Sequence, residues 1–226
     1  MFLLLLKIDL HVHSVHSDGF GEIDEILDTA RSKGLDGLAI TDHETLEGYQ
    51  EALSLKSGLL ILPGFEVETD AGHVLVLGLK KLPPRIRRIG YEELIEWTRG
   101  MGGLSILAHP AAGRFRLGRW REAKPDAVEA LNASYPFRYF VRRGLMLAEK
   151  LGVPAVGGSD AHFPETVGDA YTIVDAGNPR TTDILEAIKT GSVGFEGALS
   201  PMIKRSRIGI GYLSHKMQEK LSRLIQ

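Results

Sequence analysis

Short runs rich in Leu, Ile and Val recur along the chain, each followed by a stretch with helical spacing, and this alternation limits the fold more than any other feature of the sequence. Apolar runs bounded by turn residues read as buried strands, and strands separated by helical segments read as βα units around a largely parallel sheet. The strand candidates are residues 2–8, 37–41, 59–62, 73–79, 104–108, 127–131, 153–156 and 171–174. Between the first two, Ile23, Ile26, Leu27 and Ala30 fall at i, i+3, i+4 and i+7, which makes one apolar helix face, and Gly34 supplies a stop. Further helices are expected near 45–56, 91–101, 138–151 and 181–190. With 226 residues and 43% hydrophobic content the chain can fill the core of one α/β barrel, so residues 1–226 are expected to form a single domain. From about residue 200 the sequence turns basic and partly amphipathic, with Ile208, Ile210, Leu213, Met217, Leu221 and Leu224 predicting a C-terminal helix laid against the barrel.

Composition narrows the chemistry. Lys+Arg 27 against Asp+Glu 29 gives a net charge of -2, so no global positive excess points to nucleic acid or an anionic membrane as the main partner, although local basic patches stay open. There is no cysteine, which removes disulfides, thiolate zinc sites and cysteine nucleophiles together. Any metal must therefore be held by His and carboxylate. The opening MFLLLL is too short for a signal sequence core and runs at once into Lys7 and Asp9, so it reads as a buried first strand and a cytoplasmic location is expected.

The polar residues cluster where strands end. His11 and His13 follow the first strand in DLHVHS, Asp42 and His43 end LAITDH, Glu66 follows LLILPGFE, His109 ends LSILAHP, and Asp160 and His162 follow PAVGGSDAH. Loops at the carboxyl ends of parallel strands converge on one spot, so clusters far apart in sequence become one cluster in space. A single His beside an apolar strand is ordinarily a hydrogen-bonded core residue. Seven of the eight His residues at strand edges are harder to explain that way. His11 and His13, two apart on an extended segment, point the same way and can share one ion. His16 breaks that alternation and reads as a surface or supporting residue, and His215 in the terminal segment reads as structural.

DLHVHS with SDG, then ITDH, PGFEVE, GHVLVLG, LAHP and GGSDAH, in that order over about residues 7–175, resembles the polymerase and histidinol phosphatase (PHP) family of metal-dependent phosphoesterases. The resemblance implies a distorted seven-stranded (βα) TIM-like barrel, so one of the eight strand candidates should be an edge or hairpin strand, 73–79 or 171–174. It also implies two to three divalent ions, Mn²⁺, Zn²⁺ or Fe²⁺. On this likeness His11, His13, Glu66 and Asp160 hold the first ion. Glu66 bridges to a second held with His73 and His109, and Asp18, His43 and His162 form a third set. Asp18 stands where some members carry a His, and its hard oxygen favours an ion such as Mn²⁺. Asp9 and Asp42, each just before or near ligating histidines, either accept the second ring N–H of those histidines or cap the following turns.

Metal-activated water needs no covalent nucleophile, and the chain carries no GxSxG elbow, Walker-type loop or CxxC. Glu66 and Asp160 are then the carboxylates on which catalysis turns. Phosphate charge would be met by a guanidinium from HPAAGRFRLGRWREAK, with Arg114 the first choice ahead of Arg116, Arg119 and Arg121, and Asn132 should point into the site. The expected activity is hydrolysis of a phosphomonoester of a small metabolite or nucleotide. A nucleic-acid end is a less favoured partner, no membrane partner is expected, and the alternatives are a barrel amidohydrolase or a non-catalytic PHP module.

Overall fold

A computed structural model describes residues 5–202. The expected C-terminal helix, with His215, and residues 2–4 of the expected opening strand lie outside the described residues.

Strand β1 (Leu5–Val12) pairs in parallel with β2 (Gly37–Ile40), and β2 in parallel with β3 (Leu60–Thr69). The chain then reverses through Asp70 and Ala71, so that β4 (Gly72–Leu77) runs antiparallel to both β3 and β5 (Leu104–Leu107). Parallel pairing resumes from β5 to β6 (Ala127–Asn132) and from β6 to β7 (Ala155–Gly158). On the other side of β1 lie β8 (Ala170–Asp175) and then β9 (Val193–Gly197), both antiparallel to their neighbours. The sheet therefore has nine strands in the order β7-β6-β5-β4-β3-β2-β1-β8-β9, where seven were expected. Both strands marked as edge or hairpin candidates are antiparallel. β9 escaped the sequence reading because VGFEG is a short, partly exposed edge strand in which glycine, a poor strand former, takes two positions.

The sheet curls until it nearly closes. Beyond β7, Asp160 N–H donates to His11 O at 2.8 Å and His13 N–H donates to Ala161 O at 2.9 Å, while lower down Thr172 Oγ1 of β8 bridges to the backbone of Gly157. Inside, Ile8, Leu10, Leu62, Leu75, Ile106 and Val156 form one apolar cluster, stoppered by Ile184, Leu185 and Ile188 of the helix Thr181–Thr190. Outside, the helices Ile23–Ser32, Glu47–Ser54, Tyr91–Gly100 and Arg138–Leu151 bury their apolar faces on the sheet. The first of these buries Ile23, Ile26, Leu27 and Ala30, as its spacing predicts. No helix among the described residues is long and apolar enough to cross a membrane.

Candidate metal centre

The nine side chains singled out in the sequence meet at the end of the barrel where β1, β2, β3, β5, β6 and β7 finish. His73 joins them because β4 runs backwards: its first residues, not its last, lie at that end, with His73 opposite Glu68 in register. Two of the nine, His109 (φ 30°) and Asp160 (φ 52°), hold left-handed backbone conformations that side chains other than glycine adopt at a cost. Such strain is characteristic of positions fixed by their surroundings for a task.

Three overlapping donor sets emerge. His11 Nε2 and His13 Nε2 are 3.0 Å apart, and each faces Glu66 Oε2 (3.4 and 3.2 Å) and Asp160 Oδ1 (3.4 and 3.5 Å). Ligands about 2.0–2.2 Å from a first-row dication in tetrahedral array sit about 3.3 Å from one another, so this cage has the dimensions of a metal site. The other oxygen, Glu66 Oε1, faces His73 Nδ1 at 3.0 Å and His109 Nε2 at 3.2 Å. Asp18 Oδ2 lies 3.5 Å from His43 Nε2 and 3.3 Å from His162 Nε2. His13 Nδ1 is buried without a hydrogen bond, its neighbour Asp18 Oδ1 lying 3.3 Å away but misaligned. Groups drawn from these residues could each hold one divalent ion.

Charge points the same way. Burial alone would raise the pKa values of Glu66, Asp160 and Asp18, yet the surrounding histidines hold all three carboxyls well below the usual range. Burial alone would lower those of His11 and His13, yet neighbouring carboxylates, Glu129, Asp160 and Glu66 for His11 and Asp160 and Glu66 for His13, raise both, His13 to about 10. The carboxylates thus call for positive charge, which protons supply when cations do not.

Glu129, which the sequence reading passed over, orders much of this cluster. It is buried, its Oε1 accepts from His11 Nδ1 at 3.0 Å, and its Oε2 accepts from His109 N–H at 2.8 Å and Asn132 Nδ2 at 2.9 Å. A carboxylate acceptor at Nδ1 leaves the lone pair of neutral His11 at Nε2, facing the other donors. Gly158 makes the room, since a Cβ there would lie 2.6 Å from Glu129 Oε1 and 2.8 Å from His11 Cβ. The only sequence signal was a carboxylate inside the otherwise apolar strand AVEALN. Asn132 does point inward and donates to Asp160 Oδ2 at 3.2 Å.

Asp9 and Asp42 do not orient imidazoles; they cap turns. Asp9 accepts the N–H groups of His11, Ser159 and Gly168, with burial pushing its pKa up to about 6, while Asp42 accepts from Ser14 N–H, Ser14 Oγ and Ser17 Oγ. His16 turns away to Glu51 at 2.6 Å. Arg114 and Arg116 line a groove of about 430 Å³ that continues from His73 and His109, whereas Arg119 is held by Asp70 and Glu92.

Residues 9–139 match the PHP domain, and residues 140–193 match the PHP-associated segment. The chain belongs to the PHP domain family. An uncharacterised protein of Methanocaldococcus jannaschii is 34% identical over 143 residues, 57% of this PHP chain and 82% of that protein. A 3',5'-nucleoside bisphosphate phosphatase of Chromobacterium violaceum is 33% identical over 150 residues, 62% of this chain and 51% of the phosphatase, so the PHP chain spans about half of that relative's length. Among solved structures, a two-domain protein of Bacteroides vulgatus containing a predicted PHP-like metal-dependent phosphoesterase superposes with a TM-score of 0.75 at 20% identity, covering 87% of this chain and 66% of that one.

Proposed function

We propose that this PHP chain hydrolyses a phosphomonoester of a small metabolite or nucleotide, using two to three divalent ions, Mn²⁺, Zn²⁺ or Fe²⁺, held by His11, His13, Asp18, His43, Glu66, His73, His109, Asp160 and His162. The observation that carries the reading is the division of Glu66: one carboxylate oxygen faces His11, His13 and His43, the other His73 and His109. A carboxylate shared in this way suits adjacent cations. When bound, such ions lower the pKa of water to make a nucleophile and offset the charge of a phosphoryl group.

The chain's own residues do the rest. Glu129 keeps His11 in the ligating tautomer, and Asn132 and Ser134 fix Asp160 through its carboxylate and its carbonyl. Asp18 lies on the His162 side of the centre, where its carboxylate balances an ion apart from the shared pair. Arg114, exposed beside His109, meets the remaining phosphate charge. Glu66 in the shared position without an obvious bridging lysine, and His162 two residues after Asp160, support a phosphoesterase over an amidohydrolase, and the full donor set supports an enzyme over a non-catalytic module.

The test is a panel of phosphomonoesters, nucleotides and amides offered to metal-loaded protein. Phosphate release from monoesters that stops on chelation is the expected result. Amide hydrolysis without phosphate release, or no turnover by a protein carrying its ions, would overturn the reading.

A further inference from the structure

Between β9 and the helix Arg138–Leu151 lies a second groove, of about 260 Å³, to which the metal centre contributes no donor. Its floor is an apolar cluster separate from those inside and outside the barrel, formed by buried Leu131 with half-buried Val141, Phe195 and Leu199. In the helix sequence RYFVRR, Arg138, Val141 and Arg142 fall at i, i+3 and i+4, so the two guanidinium groups rise from the same helix face as the apolar Val141. Both arginines are exposed, and neither has a carboxylate within ion-pair distance among the described residues. On the β9 side stands Glu196, whose Oε2 accepts from Tyr171 OH at 2.9 Å rather than pairing with them.

An unpaired arginine on a surface is ordinarily left to water, but a pair of them over a concave apolar floor is a different case. Ligand sites are concave and mostly apolar, with a few polar groups that fix orientation. Guanidinium is weakly hydrated, and its planar fork matches a planar carboxylate. Glu196 sets the charge that fits: a monoanion is offset by two cations, whereas a dianion such as a phosphate monoester meets more repulsion from that carboxylate. Size follows from volume. At about 30 Å³ for each water-sized group the groove takes about nine heavy atoms, a benzene ring bearing one carboxylate. We propose that this groove binds a small monocarboxylate with an apolar body, the body on Leu131, Val141, Phe195 and Leu199 and the carboxylate on Arg138 and Arg142. The chain's own terminal sequence is a poor match, since Lys204, Arg205 and Arg207 carry the same sign as the arginines. The site needs no metal ion and does not rest on the hydrolase reading.

The experiment follows the methyl resonances of Leu131, Val141 and Leu199 in the full chain, held in chelator, as benzoate is added. They should shift together with a Kd of about 1 mM, the strength open to a ligand of this size in an open groove. Acetate, which lacks the ring, and benzamide, which lacks the charge, should each bind about tenfold more weakly. Arg138→Gln with Arg142→Gln should weaken benzoate about tenfold and leave benzamide unchanged, in a protein whose urea midpoint is that of the wild type. Glu196→Gln should strengthen binding of phenylphosphonate in its dianionic form more than that of benzoate. Shifts confined to methyls beside the metal centre such as Val12, equal affinity for benzamide, or affinity untouched by the double substitution would overturn the proposal. So would affinity that falls as the protein is concentrated, which would put a second copy in the groove. Benzoate binding as described by a chain that hydrolyses no ester would remove only the hydrolase reading.

Discussion

Replacing Glu129 with Gln keeps the side chain's volume but converts one of its oxygens into a donor. Glu129 Oε1 serves His11, and Oε2 serves both His109 N–H and Asn132 Nδ2. An amide can keep only one side. With its oxygen toward His11, its NH₂ confronts two buried donors, at about 1–3 kcal/mol for each left unsatisfied. With its oxygen toward His109 and Asn132, its NH₂ faces His11 Nδ1, which must then release its proton and become the acceptor. The second arrangement strands fewer groups and prevails. It moves the His11 proton to Nε2, the atom that faces His13, Glu66 and Asp160. Returning His11 to the ligating tautomer sets its Nδ1–H against the amide NH₂ and leaves a buried donor unsatisfied, at about 1–3 kcal/mol. Metal affinity should therefore fall about 10- to 100-fold while the fold persists. Competition against a chelator of known affinity measures the first quantity and urea unfolding of the metal-free protein checks the second. Wild-type affinity in a normally folded Glu129→Gln protein would refute the tautomer argument.

Glu66→Gln should leave the barrel folded but abolish phosphate release and lower ion content, since it halves the carboxylate that faces both donor sets; elemental analysis with turnover checks it. Asp18→Ala should lose one ion and about 10²- to 10³-fold in rate, by analogy with loss of one charge contact in the transition state, and anomalous scattering that still shows every site filled would exclude Asp18. In metal-free protein the His13 pKa is raised from 6.5 to about 10, so its contribution to stability is complete below pH 6.5 and disappears as pH climbs through 10; ion binding, which displaces that proton, should strengthen over the same range. Urea midpoints and chelator competition between those pH values test both signs. Asp9→Asn should destabilise by about 1–3 kcal/mol in thermal unfolding, because its carboxylate accepts three backbone N–H groups and an amide must turn NH₂ toward at least one.

The donor residues were legible because a parallel barrel sends every strand's carboxyl end to one face, so position after an apolar run is enough to place His11, His43, His109 and Asp160. His73 followed from likeness to a family, and its physical reason is the reversal at Asp70 and Ala71 that the parallel reading of residues 73–79 lacked. Glu129 was missed because burial inside a strand is invisible in sequence, where one carboxylate among apolar residues looks like a surface position. Asp9 and Asp42 were ambiguous for a related reason: a carboxylate beside a histidine has equal access to ring and backbone donors, and only the loop path decides. Residues 153–156 were placed two positions early because Gly157 and Gly158 lack strand propensity, yet β7 runs through them where side chains would collide.

The seam where β1 meets the segment beyond β7 has a consequence for how the protein is made. His11 O accepts from Asp160 N–H at the very place where their side chains face one another, so the proposed first ion would clasp residue 11 to residue 160. On a ribosome, His11 emerges early and waits through the whole barrel for its partner. A nascent chain stopped before β7 can hold Glu66, His73 and His109 but not this clasp, and the slow, non-local closure of the ring is the event that ion binding would reward. The share of the chain in the closed form would then rise with free metal once residue 160 is available, and fall on chelation.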